Sequence, residues 1–461
     1  YGARGVNGVI IITTKRAKLG EANVTVDAKW GSNSRASQDY NYITDPRHYY
    51  EQYYKALYNY ATYPKELYTA PNTSTAQNIG GLGYTPFQAT QWANSVLCSN
   101  ETTGLGYQVF TVPAGEFLIG YNGKMNPSAK LGYLSGDFYL TPDNWMDETY
   151  TNGFRQEYNV NITQGTERSN LMASISYLDN QGIVKVPSDY RRFTGRVNAD
   201  FQAKSWLKVG ANVAYSHINM NSNASSGEGS SGSTSNIFAS ATQVAPIYPM
   251  YMRDANGQIM KDALGITRYD YGAGLNAGMR RPFLSGSNAV SDAILGTSKV
   301  GANNFNGTGF IEIRLPYNFT ITSNNNVALQ EWRSSEVVNP FYGQYAPTGG
   351  IVSKSHQRNL DWTFQQLINW SQSYGSNNVS ALLGHEYYKT TLESLSASKS
   401  NMFLPSNDEL AGAITDQSPN SGSTMYNNEG WFVRGMYDYE GRYFGQASFR
   451  RDASSRFHPS H

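Results

Sequence analysis

The chain has 461 residues, of which 15% are charged against roughly 25% in soluble domains, and its formal net charge is +1. That near-neutral balance removes the electrostatic case for nucleic-acid binding. Aromatic residues at 13%, with 35 Tyr, 44 Gly and a mean hydropathy of −0.52, suit an all-β chain and not a helical bundle; the single Cys98 excludes an internal disulfide.

The chain opens inside a glycine-rich run, Tyr1-Gly-Ala-Arg-Gly-Val-Asn-Gly-Val-Ile-Ile-Ile-Thr-Thr-Lys15. A phosphate cradle would follow a strand and open a helix. Here the glycines precede a β-branched run, so they read as a tight turn entering a buried strand. Val9 to Ile12 is the longest aliphatic run. A membrane helix needs about 18 apolar residues, so any crossing of a membrane is by strands.

Strict alternation begins at Val24, Val26, Ala28 and Trp30 and recurs along the chain. The expected strands are 22–30, 154–164, 169–178, 191–203, 205–216, 309–316, 318–328, 360–372, 378–389, 430–440 and 442–451. Each has one apolar and one polar face, because successive side chains point to opposite sides. Their length fits tilted membrane strands of about 9–11 residues better than ordinary strands of about 5–6. Short links at 165–168, 204, 316–317, 373–377 and 441 alternate with long ones at 31–153, 217–308, 329–359 and 390–429, with a shorter one at 179–190. Short turns on one side and long loops on the other are the pattern of an outer-membrane barrel. A closed sheet pairs its own backbone groups, as hydrocarbon requires. Trp206, Trp370 and Trp431 lie where aromatic belts sit.

In the first long loop, Asp45 and Pro46 are expected to cap and open a short helix reaching about Tyr60. Tyr49, Tyr50, Tyr53, Tyr54 and Tyr58 suggest sugar stacking, but packing inside a loop cap is the expected role. Asp137, Asp143, Asp147 and Glu148 cluster without the ligand spacing of a calcium loop. Residues 221–236 are rich in Ser, Gly and Asn and read as flexible. Arg196, Asp200, Lys208, Glu312 and Arg314 fall on polar rows and read as structural lining of a lumen. Six histidines, at 48, 217, 356, 385, 458 and 461, are scattered. Catalytic residues, metal ligands and cofactors are not expected.

Tyr1 to Lys15 closely resembles the end of the plug domain of SusC/RagA-type TonB-dependent transporters, with Tyr1, Gly2, Arg4, Gly5, Asn7 and Gly8 carrying the pattern. Tyr177 to Ile183, Tyr190 to Phe193 and Trp206 to Asn212 are similar to that family's early barrel strands. Trp431 to Tyr443 and the run Arg450, Arg451, Asp452, Ala453, Ser454, Ser455, Arg456, Phe457 resemble its mid-barrel hairpin; Ala453 stands where Gly is more usual. The resemblance implies residues 1–18 as the C-terminal end of a plug and 19–461 as the N-terminal half of an antiparallel transmembrane β-barrel, with about 11 of about 22 strands. Both ends then read as cut. It also implies an outer-membrane importer of oligosaccharides or peptides, driven by TonB through a segment outside this sequence and lidded by a SusD-like surface lipoprotein. Two other readings share these features: an iron-siderophore receptor with the same barrel, and a soluble surface adhesin or glycan-binding β-protein.

Overall fold

The alternating segments form one antiparallel sheet of eleven strands in sequential order. The structure, a computed structural model, describes residues 20–36, 41–69, 74–100, 103–223, 236–343, 345–403 and 407–457. The strands are β1 (Gly20–Asn33), β2 (Gly153–Gly165), β3 (Ser169–Gln181), β4 (Ser188–Lys204), β5 (Leu207–Ser222) and β6 (Thr297–Leu315). They continue as β7 (Phe319–Val338), β8 (Ile351–Tyr374), β9 (Asn377–Met402), β10 (Ala413–Tyr439) and β11 (Tyr443–Ser454). All eleven expected strands are present. The glycine-rich run at 1–15, and the plug end at 1–18 with it, lie outside the described residues, as do most of 221–236.

Register carries the apolar rows unbroken from strand to strand. Val26 pairs with Val160, Val160 with Ile175, Ile175 with Gly195, Gly195 with Tyr215, and Tyr215 with Phe305. Lower in the wall, Ile313 pairs with Ile321, Ile321 with Ile368, Ile368 with Leu383, Leu383 with Val433, and Val433 with Phe449. Directly opposed residues share a face, so these chains trace one apolar surface across the sheet. That surface is not packed away: Val26 is 69% exposed and Phe449 68%. The larger buried cluster draws its buried members, from Tyr50 to Ala293, from segments between strands.

The tight turns stand where expected. Gly375 and Gly441 take φ of +62° and +66°, which a glycine adopts without strain. The opposite ends differ from expectation. The expected 378–389 and 430–440 extend to Asn377–Met402 and Ala413–Tyr439, so the loops at 329–359 and 390–429 shrink to 339–350 and 403–412. The cause lies in the side chains of these extensions. Glu393 and Lys399 on one face, and Ser394, Ser396 and Ser398 on the other, leave polar side chains on both, so alternation fades while the hydrogen-bonded ladder continues. One consequence is that Trp431 stands inside β10 and not near its end. Beyond it on the same face of β10 stand Glu429 and Asn427.

The two longest inter-strand segments fold together into a cap. Helix α1 (Pro46–Thr62) has Asp45 as N-cap, its carboxylate accepting from the Arg47 N–H at 2.9 Å, with Pro46 opening the helix. Helix α2 (Pro86–Leu97) carries a reciprocal capping box between Thr85 and Gln88. Three shorter helices follow: α3 (Trp145–Thr149), α4 (Ile237–Gln243) and α5 (Ala289–Leu295).

Candidate functional site

Two surfaces can meet a solute: the cap, and the polar face of the sheet. In the cap, Tyr50 and Tyr54 are buried, and Tyr49, Tyr53 and Tyr58 pack against the same cluster. Tyr50 donates to the Tyr107 carbonyl at 2.6 Å, and Tyr54 donates to Thr90 Oγ1 at 3.2 Å. The five tyrosines therefore serve packing, as expected. Cys98 beside Tyr50 is half-buried against the same cluster, and desolvation pushes its thiol up to about 12.

The acidic cluster is a clasp. Asp143 accepts from the backbone N–H of Met250 at 2.7 Å and of Tyr251 at 3.2 Å, and its carboxylate is gripped by the Arg253 guanidinium. Asp147 accepts from Asn144 at 2.6 Å, while Glu148 accepts from the Tyr251 hydroxyl at 2.8 Å. These carboxylates turn toward different partners, and Asp137 has no part in the clasp. Among the described residues no group of three or more His, Cys, Asp or Glu side chains is placed to hold a metal. The described histidines pair individually: His48 with Gln52, His217 with Asn303, His356 with Glu331, and His385 with Gln366 and Glu429. His458 and His461 lie outside the described residues.

Beneath the clasp runs a short internal repeat that the sequence shows as Asp254, Asp262 and Asp270 at a spacing of eight, with Gly257 and Gly265 between them. Asp254 Oδ1 accepts from the N–H of Asn256 and Gln258, and Asp262 Oδ1 from Leu264 and Ile266. Both are Asx-type turns, each closed by a glycine at positive φ. Asp270 ends the series inside the core. It accepts from Tyr107 at 2.8 Å, Asn276 at 2.6 Å and the Gly272 N–H at 2.6 Å. Burial raises its carboxyl above the ordinary range, and nearby Arg281 opposes that rise.

On the sheet, Arg196, Asp200, Lys208, Glu312 and Arg314 all lie on the face opposite the apolar rows, toward the tight turns. Lys208 Nζ stands 3.0 Å from Asp200 Oδ1, and Arg314 3.0 Å from Glu312. Two stacks recur on this face. Phe310 lies over Gly210 directly opposite, with Lys208 5.9 Å above the ring. Phe432 lies over Gly384 in the same manner, with Arg450 at 4.9 Å. A ring covering an opposed glycine fills the gap that the missing side chain leaves.

The second motif divides by parity. Arg450 Nε pairs with Asp452 Oδ1 at 2.8 Å on the polar face, while Arg451 stands opposite Trp431 on the other. At the end of β11, Ser455 Oγ accepts from the Asn427 N–H at 3.0 Å, and Arg456 sits 4.0 Å over the Tyr426 ring. Ser454 accepts from the Arg456 N–H at 3.3 Å, and Phe457 is exposed. Tyr1, Gly2, Arg4, Gly5, Asn7 and Gly8 lie outside the described residues.

No family model matches the chain. TonB-dependent receptor P3 of Formosa agariphila is 23% identical over 318 residues, 68% of this chain and 29% of that protein. TonB-dependent receptor SusC of Bacteroides thetaiotaomicron is 22% identical over 473 residues, 99% of this chain and 37% of that protein. The chain thus spans well under half the length of these curated relatives. The solved RagAB peptide transporter matches 100% of this chain and 45% of its own, at 20% identity and a TM-score of 0.64. The sheet has the fold of part of the barrel wall of SusC/RagA-type TonB-dependent receptors, which the chain resembles. In a SusC/RagA-like wall of eleven strands, the polar face with its two ring stacks is the lumen side, and the apolar rows are the outside. The curated relatives are receptors.

Proposed function

We propose that this chain is part of a TonB-dependent importer of the outer membrane, SusC-like, with residues 1–18 ending the plug and 19–461 forming part of the barrel. One observation carries the reading. The apolar rows stay in register across all eleven strands and remain exposed, while the buried core sits apart in the cap. In water such a surface would be costly; against acyl chains it is matched. A soluble adhesin would bury those rows between packed layers.

The cargo class is an oligosaccharide, as the resemblance of the motifs implies, or a peptide, as the solved RagAB peptide transporter supports. TonB and a SusD-like surface lipoprotein are the partners that this reading supplies, with membrane lipid around the wall. The test uses the full-length receptor in its own cell. It should sediment with the outer membrane, need detergent for extraction, and import its cargo only while TonB is intact. Recovery in the soluble fraction, or uptake unaffected by loss of TonB, defeats the proposal.

A further inference from the structure

We infer that the lumen face of β7–β10, in its loop-side half, holds a binding site for a neutral pyranose chain, with Trp332 as its platform. The inference rests on the importer reading above and adds to it the class of cargo and the residues that meet it.

The site is a concavity of 660 Å³, within the range of small-molecule pockets. Its floor is in register: Trp332 opposes Gln357, Gln330 opposes Asn359, Asn359 opposes Leu392, and Thr390 opposes Tyr426. Trp332 is 43% exposed, so part of its ring is open to a ligand. Among the described residues, the Trp332 indole N–H and the carboxamides of Gln330 and Gln357 make no side-chain hydrogen bond. Asn359, by contrast, is set. Its oxygen accepts from Thr390 at 3.0 Å and its nitrogen donates to Asp361 at 3.3 Å, which fixes the amide and leaves one donor and one lone pair over. Arg456, lying on the Tyr426 ring, closes the far side.

The lining has no carboxylate. Arg456 is the charged residue of the lining, Asp361 stands beside the lining bonded to Asn359, and farther toward the turns the same face carries Asp200, Glu312, Lys208 and Arg314. A pyranose presents an apolar C–H face and a rim of hydroxyls that both donate and accept. An open indole and free carboxamides match those two features, because a carboxamide also does both. A peptide finds less here. Its backbone seeks a strand edge, and β7, β8 and β9, which carry Trp332, Gln357, Asn359 and Thr390, each have neighbours on both sides.

The test is binding to the purified full-length receptor in detergent, by calorimetry. The probes are maltohexaose, cellohexaose, xylohexaose, mannohexaose and laminarihexaose, with a mixed tryptic peptide digest beside them. At least one hexasaccharide should bind, and Trp332→Ala should weaken it about tenfold or more. Gln357→Ala should act in the same direction. Trp332→Phe should restore most of the affinity, and Trp206→Ala, in a turn, should change nothing. Binding of the digest alone, of no hexasaccharide, or saccharide binding indifferent to Trp332→Ala overturns the inference. Outer-membrane sedimentation and TonB-dependent growth of the same strains report separately on the importer reading. Their persistence alongside a failed binding test sinks only the pyranose site.

Discussion

Tyr107 stands with its hydroxyl 2.8 Å from the carboxylate of Asp270, and the two lie 163 residues apart in the chain. The bond joins the segment after β1 to the segment after β5, and both groups are buried. Tyr107→Phe keeps the ring and removes the donor, leaving a buried carboxylate one partner short. The cost should be about 1–3 kcal/mol in cap stability. Limited proteolysis within 100–150 and 237–296, compared with wild type at matched temperature, measures it.

Alkaline pH should open the cap before it opens the wall. Burial raises the phenols of Tyr50, Tyr107 and Tyr248 above their ordinary value of about 10. A raised acid holds its proton longer in the folded cap than in the unfolded chain. Stability is therefore complete below about pH 10 and falls as pH rises beyond it. Protease cleavage in the cap at pH 9 and pH 11 should differ sharply, while β-sheet circular dichroism stays constant. Equal resistance at both pH values would count against it.

Removing the clasp should be costly and calcium irrelevant. Asp143→Ala strips Arg253 of its carboxylate and two backbone N–H groups of their acceptor. A loss of about 3 kcal/mol is expected, since an enclosed cation is left without its partner. A chelator should leave the melting of the wild-type cap unchanged. A downward shift on adding chelator would show that the acidic cluster holds a cation.

Val213 sits between Val197 and Gly307 on the apolar face, within the span covered by alternation. In the full-length receptor, Val213→Arg should cost about 2–4 kcal/mol near mid-membrane, and Val209→Arg a comparable amount. Lys208→Ala, on the lumen side, should cost far less. Equal assembly yields for these variants would contradict the assignment of faces.

Gly384 tests the ring stacks. A β-carbon there would lie 2.2 Å from the Phe432 ring, so Gly384→Ala must displace the ring and with it Arg450. The expected loss is about 1–3 kcal/mol, as for other overpacked sites. Gly384→Ala combined with Phe432→Leu should recover part of it; no recovery would show that the ring is not what the glycine accommodates.

The legible part of this molecule is the part where one face is apolar. Val24 to Trp30, Phe193 to Phe201 and Leu207 to Tyr215 alternate because their two sides meet different surroundings, and the turn ends follow from Gly375 and Gly441. The loop-side halves of β9 and β10 were hidden because Glu393 and Lys399 on one face and Ser394 and Ser396 on the other are all polar. The cap core was hidden for another reason: Tyr107 and Asp270 are joined only by tertiary folding. The capping box at Thr85 and Gln88, and the eight-residue spacing of Asp254, Asp262 and Asp270, were readable signals. Trp332 offered none, since a lone aromatic in a long polar strand looks like any other until its neighbours are in register.

The overrun of β9 and β10 beyond Trp431 has a mechanical corollary. Where a barrel usually gives way to slack connecting chain, here the ladder keeps climbing, like a chimney above a roofline. In the proposed importer, a solute arriving from the loop side meets these paired rungs before the level of the apolar rows.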